Sequence, residues 1–181
     1  VDTVLEPMQK RKLAPHLAFL FDSQIENARL IECIRSETLN LVTSLEVQPA
    51  VFERCWQNLI LSSCDVGILS WLERHGAFSA GSLKQGGSVV TCAFDLARQA
   101  KCCPIYFSGV DLSFSKFQVY CKGTAYERHV LKSLNRFSSV EQEMYFMKNE
   151  RTERKALNMP TQDNLYNYYR LFERARPMFE Q

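Results

Sequence analysis

The chain has 181 residues, 46% of them hydrophobic and 23% charged, with a formal net charge of +2. That length suits a single core-forming domain, and the composition is that of a globular protein rather than a disordered or fibrous one. The small net charge gives no basis for bulk nucleic-acid binding, and the longest apolar runs, Leu17–Phe21 and Leu59–Leu61, are too short to span a bilayer.

In chain order, Val1–Lys12 carries charges but no apolar centre and is not a signal peptide. His16–Phe21 is a continuous apolar run that reads as a buried strand ending at Asp22. Ser23 is a suitable N-cap for a helix through Ile34, whose Ile25, Ala28, Ile31 and Cys33 recur at helical spacing. Leu39–Leu45 reads as a second strand, Val51–Arg54 as a short helical piece and Leu59–Ser63 as a third strand. Asp65 can cap a helix with Val66, Leu69, Trp71 and Leu72 on its apolar face, ended by Gly76. Phe78–Gln85 reads as a loop. Gly87–Lys101 is a helix with Ser88 as its cap and Val89, Cys92, Ala93, Leu96 and Ala97 on one side. Ile105–Phe107 reads as a fourth strand, and Phe114–Cys121 alternates weakly.

The composition shifts from Thr124 onward. Ala125–Leu134 and Ser139–Glu150 read as charged helices, Arg151–Lys155 is a charged run, and Pro160 is a break. Thr161–Ala175 is a last helix, rich in Tyr166, Tyr168, Tyr169 and Phe172, that suits packing or a homo-oligomer contact. Strands alternating with helices predict an α/β fold with a mainly parallel sheet flanked by helices, and a helical C-terminal appendage. The expected division is 1–138 for the sheet domain and 139–181 for the extension.

There are seven cysteines, an odd number with no Cys-x-x-Cys spacing, and three histidines, His16, His75 and His129. This pattern predicts a reduced, cytoplasmic protein without a zinc site. Cys102 and Cys103 are adjacent, and adjacent cysteines seldom pair without strain.

In an open parallel sheet, ligands bind outside the carboxyl ends of the strands. Asp22 and Asp111 are both expected there, each able to hold Mg²⁺, accept from a ribose hydroxyl, act as a base, or simply cap a turn. Gly86-Gly87-Ser88 opens a helix, and its free N–H groups at the positive end of the helix dipole suit a phosphate. Lys84 adds a cation just before it. Arg136 is either a phosphate fork or a surface ion-pair partner, and His129 reads as a surface side chain.

The pattern GGSV…A…LA…PI…G.DLSF…KG, after an early strand ending in Asp22-Ser23-Gln24, resembles the MptE-like superfamily. This superfamily includes 6-hydroxymethylpterin diphosphokinases and the motility-associated (Maf) flagellin glycosyltransferases. The resemblance covers roughly 15–136 and implies a Rossmann-like domain binding a phosphate-bearing nucleotide across its strand ends. It places Gly86, Gly87 and Ser88 beside the ligand, and it matches Asp22 and Asp111 to family aspartates that serve catalysis or Mg²⁺ binding. It implies a transferase, moving either a sugar from a CMP-sugar to flagellin or another acceptor protein, or diphosphate from ATP. Val110 stands where the family usually has Gln, and Tyr120 where many members carry His. A glycine-rich N-terminal strand-turn of the family is not found in this chain. These departures support the alternative of a non-catalytic nucleotide-binding or protein-interaction module.

Overall fold

The computed structural model describes residues 1–63, 67–84, 86–113, 121–140, 142, 154–156, 159–161 and 163–175. The proposed Asp65 cap, Tyr120, most of the alternating run 114–121 and most of the expected helix 139–150 lie outside them. The chain divides into two compact units, the first Val1–Cys103 with Lys122–Tyr126, the second Pro104–Cys121 with Glu127–Gln181.

The first unit contains a four-stranded sheet in the order β1-β2-β3-β4. Its strands are β1 (Ala18–Leu20), β2 (Asn40–Thr43), β3 (Asn58–Ser63) and β4 (Gly81–Ser82), and every neighbouring pair is parallel. The helices are α1 (Leu5–Lys10), α2 (Ile25–Ile31), α3 (Gly67–Arg74) and α4 (Val89–Gln99), with short 3-10 turns at Asp2–Val4, Ser36–Thr38 and Pro49–Val51. This is the expected α/β architecture with a parallel sheet.

Side chains alternate across a strand, so β1 and β2 feed two cores. Ala18, Leu20 and Leu41 face one side, packed with Leu5, Ile31, Ile34, Leu39, Val47 and Val51. Phe19, Phe21 and Val42 face the other, with Leu83, Cys92 and the half-buried Val89, Ala93 and Leu96 of α4. Apolar faces on both sides are why the β1 segment reads as a continuous apolar run. Polar contacts pin the register: Asn58 Nδ2 donates to Asn40 Oδ1 (2.7 Å), Asn40 Nδ2 to the His16 carbonyl (2.8 Å), and Thr43 Oγ1 to the Leu20 carbonyl (2.6 Å).

Helix α3 ends as its sequence predicts. Gly76 has φ +74, and the Ala77 N–H returns to the Leu72 carbonyl (3.0 Å), closing a Schellman motif. Helix α4 ends in the same motif without glycine: Lys101 takes φ +56 and the Cys102 N–H returns to Ala97 (2.9 Å).

Three expectations are corrected. The N-cap of α2 is Gln24, with no side-chain capping bond, because the Asp22 carboxylate makes the turn instead. The 78–85 segment is not all loop, since Gly81 and Ser82 pair with Ser62 and Ser63. The N-terminal segment, for which the sequence suggested no element, folds into the Asp2–Val4 turn and α1.

The third correction is Ile105–Phe107, which forms no strand. Tyr106 is 87% exposed and Phe107 47%, so the triplet has no sheet face to bury. The second unit holds α5 (Ala125–Ser133, whose first residues belong to the first unit), an antiparallel hairpin of β5 (Arg154–Ala156) and β6 (Met159–Thr161), and α6 (Asp163–Ala175). The C-terminal segment is therefore not purely helical. Pro160 lies inside β6, tolerated because both strands of a two-stranded sheet are edges.

Candidate functional site

Parallel pairing carries the residues after each strand to one edge of the sheet. Leu20 aligns with Thr43, Thr43 with Leu61, and Ser63 with Ser82. Asp22 follows β1, Ser44 follows β2, and Lys84, Gly86, Gly87 and Ser88 follow β4 on the way into α4. Asp22, Lys84, Gly86, Gly87 and Ser88 thus share the carboxyl edge of one sheet. Asp111 belongs to the second unit. With Ile105–Phe107 not a strand, Asp111 does not follow a strand of the parallel sheet.

Asp22 is half-buried, and its Oδ1 accepts the Gln24 N–H (2.9 Å). The turn-capping role open to it from the sequence is therefore realised. Near it is a residue the sequence reading missed. Asp2 is 5% exposed, with its Oδ1 taking the Thr3 N–H (2.7 Å) and hydroxyl (3.2 Å). Burial pushes its carboxyl above the usual range, and the charge of Asp22 acts in the same direction.

The turn from β4 into α4 is held from below by the helix itself. The Gly86 N–H donates to Thr91 Oγ1 (2.8 Å), so it is not among the free N–H groups expected at this helix opening. Gly87 has φ +87, a conformation that glycine adopts without strain. Ser88 is the N-cap of α4, with extended backbone and no side-chain capping bond; the Thr91 N–H already returns to the Ser88 carbonyl (2.9 Å), which leaves the Val89 and Val90 N–H groups as the first-turn donors at the positive end of the helix. The Lys84 N–H is bound by Asp95 Oδ2 (2.9 Å), while its side chain is exposed.

Thr91 and Asp95 were not singled out from the sequence. The available signal was the stripe Thr91, Asp95, Gln99 at i, i+4, i+8, which puts three polar groups on one side of a helix. In the second unit, Asp111 is exposed, Gly109 has φ +70 and Leu112 has φ +50. The Leu112 carbonyl accepts from the buried Thr161 hydroxyl (2.6 Å), so β6 anchors the backbone next to Asp111. Among the described residues, no group of three or more His, Cys, Asp or Glu side chains is arranged to hold a metal ion.

An uncharacterized protein of Treponema pallidum (strain Nichols) is 26% identical over 146 residues, covering 74% of this chain. The chain spans 37% of that relative's length. No solved structure matches. The family described as 6-hydroxymethylpterin diphosphokinase MptE-like matches residues 1–117, which include the whole parallel sheet, the β4–α4 turn and Asp111. The chain belongs to the MptE-like family.

Proposed function

We propose that this chain is part of a nucleotide-dependent transferase whose donor rests its phosphates on the β4–α4 turn. The observation that carries the reading is that Asp22, Lys84, Gly87 and Ser88 all follow strands at the carboxyl edge of one parallel sheet in a member of this family. The α4 N-terminus stabilises phosphate charge through its N–H groups and dipole, and the Lys84 ammonium adds a mobile positive charge.

Mg²⁺ is bound characteristically by one or two carboxylates together with substrate phosphates. Asp22, with one oxygen engaged by Gln24, fits that role with its other oxygen. The ion would supply charge neutralisation on the transferred group.

Two transfers fit this site. In diphosphate transfer the acceptor oxygen bonds to the β-phosphorus of ATP, AMP leaves, and the hydroxyl proton passes to a base. In sugar transfer from a CMP-sugar to a protein hydroxyl such as that of flagellin, the acceptor oxygen bonds to the anomeric carbon, the bond from that carbon to the phosphate oxygen breaks so that CMP leaves, and the hydroxyl proton passes to a base. The family description supports the first chemistry; the second rests on the resemblance to Maf proteins.

Calorimetric titration with CMP, CDP, ATP and GTP, with and without Mg²⁺, separates them. Mg²⁺-dependent binding of ATP selects diphosphate transfer, and binding of CMP or CDP selects sugar transfer. Failure of a folded chain to bind any of them overturns the reading. Asp111→Ala in the same titration tests the role that the resemblance gives Asp111: lost binding assigns it to the nucleotide site, and unchanged binding removes it.

A second reading is a non-catalytic binding module. The engagement of Asp22 Oδ1 and the Gly86 N–H in local turns favours it. Nucleotide binding without turnover, with every candidate acceptor supplied, would select it.

A further inference from the structure

We infer that Thr91 and Asp95 of α4 are positioning residues, which set the turn carrying Lys84, Gly86, Gly87 and Ser88 in the geometry that receives phosphate. The inference rests on the nucleotide reading above and adds to it the part of the fold that prepares the site.

Thr91 is 3% exposed and Asp95 4%. Both lie in the helix whose Val89, Cys92, Ala93 and Leu96 pack into the core. Burying a hydroxyl or a carboxylate costs free energy unless its hydrogen bonds are made, and apolar residues would serve helix-to-sheet packing alone.

The bonds these two side chains make outside α4 go to the β4–α4 connection. Thr91 Oγ1 accepts the Gly86 N–H (2.8 Å) and donates to the Ser88 carbonyl, bridging the residues on either side of Gly87. Asp95 Oδ2 accepts the Lys84 N–H (2.9 Å) and the Gln99 Nε2 (2.8 Å), and Gln99 Nε2 also reaches the Ser82 carbonyl (3.1 Å). Arg98 donates to Asp95 Oδ1 (3.0 Å).

The consequence is directional. Thr91 turns the Gly86 N–H toward the helix, and this holds Gly87 at φ +87 with Ser88 at the open N-cap. Asp95 fixes the backbone from which the Lys84 side chain extends. A turn held before the ligand arrives loses less entropy on binding, so the two residues act on phosphate affinity through the turn rather than by touching the ligand.

The test compares wild type with Thr91→Val, Thr91→Ser and Asp95→Asn. Each is titrated with ATP and CMP, and with adenosine and cytidine as phosphate-free controls, well below its melting temperature. Amide exchange at Gly86 and Lys84 is followed by NMR. Thr91→Val is expected to speed Gly86 exchange and to weaken binding of the phosphorylated ligand about tenfold or more, equivalent to about 1.4 kcal/mol. Thr91→Ser should restore both, and Asp95→Asn should speed Lys84 exchange and weaken binding in the same sense. Nucleoside affinity should not change.

Phosphate affinity equal to wild type in Thr91→Val and Asp95→Asn, despite fast exchange at Gly86 and Lys84, overturns the positioning role and leaves the nucleotide reading standing. Wild type binding neither ATP nor CMP overturns both. Thr91→Cys provides the same comparison where Thr91→Val does not fold.

Discussion

Asp95 and Asp2 are both buried, and their surroundings treat their charge in opposite ways. Burial pushes Asp95 upward, but the Lys84 N–H, the Gln99 amide and the Arg98 guanidinium outweigh it and hold its carboxyl below the usual range. Asp2 has fewer compensating bonds, and burial keeps it above that range. The linkage signs follow. Asp95 contributes stability that is complete above the unfolded carboxylate pKa of about 3.9 and is lost as pH falls through its lower folded value. Asp2 costs stability as pH rises from about 3.9 through its higher folded value, and below that range it contributes nothing. Asp95→Asn should therefore destabilise by about 1–3 kcal/mol at pH 7, with the gap from wild type closing as pH falls below the ordinary carboxylate range. Asp2→Asn should stabilise at pH 7 and match wild type in acid. Urea denaturation of the three proteins across that range checks both signs.

At the scale of the element, hydrophobic runs were read correctly where two faces of a sheet needed filling. β1 lies within the apolar run His16–Phe21 and β2 within Leu39–Leu45, and their Ala18, Phe19, Leu20, Leu41 and Val42 occupy both cores. Leu20→Ala should cost about 2–5 kcal/mol, the range for deleting a buried leucine side chain, read as a lowered urea midpoint. Ile105–Phe107 has the same composition but no such position. Tyr106 stands 87% exposed, and Phe107 meets Phe172 edge-on at 5.3 Å. Tyr106→Ala is thus expected to change stability by no more than about 0.5 kcal/mol; a loss of core size would restore the strand reading. Elements of the opposite kind escaped the sequence. Gly81–Ser82 has little intrinsic strand preference and is a strand only because β3 offers it hydrogen-bonding partners. The β5–β6 hairpin is hidden by a charged run and by Pro160.

At the scale of the whole molecule, the chain is two compact units. Among the described residues, no helix is long and apolar enough to cross a membrane. The candidate nucleotide site is built within the first unit, so ligand binding should register as stability of that fold. A nucleotide present at 100 times its Kd should add about 2.7 kcal/mol, seen as a raised melting temperature that increases with ligand concentration. A rise with ATP only when Mg²⁺ is present would agree with Asp22 sharing the ion with the donor's phosphates. Equal melting temperatures with and without every nucleotide would count against the site.

The sequence by itself determined the alternation of strands and helices, the parallel sheet, the family, and the placement of Asp22 and Gly86-Gly87-Ser88 at strand ends. Those features depend on local periodicity, on capping and glycine chemistry, and on short spacings, all of which are written in neighbouring residues. Tertiary structure alone decided that Ile105–Phe107 is not a strand and that Asp111 belongs to the second unit. It also decided that Thr91 and Asp95 point into the β4–α4 turn and that Asp2 is buried near Asp22. Each of these depends on which distant surface a residue meets, and no local pattern encodes whether a polar side chain on an amphipathic helix faces water or a buried backbone N–H.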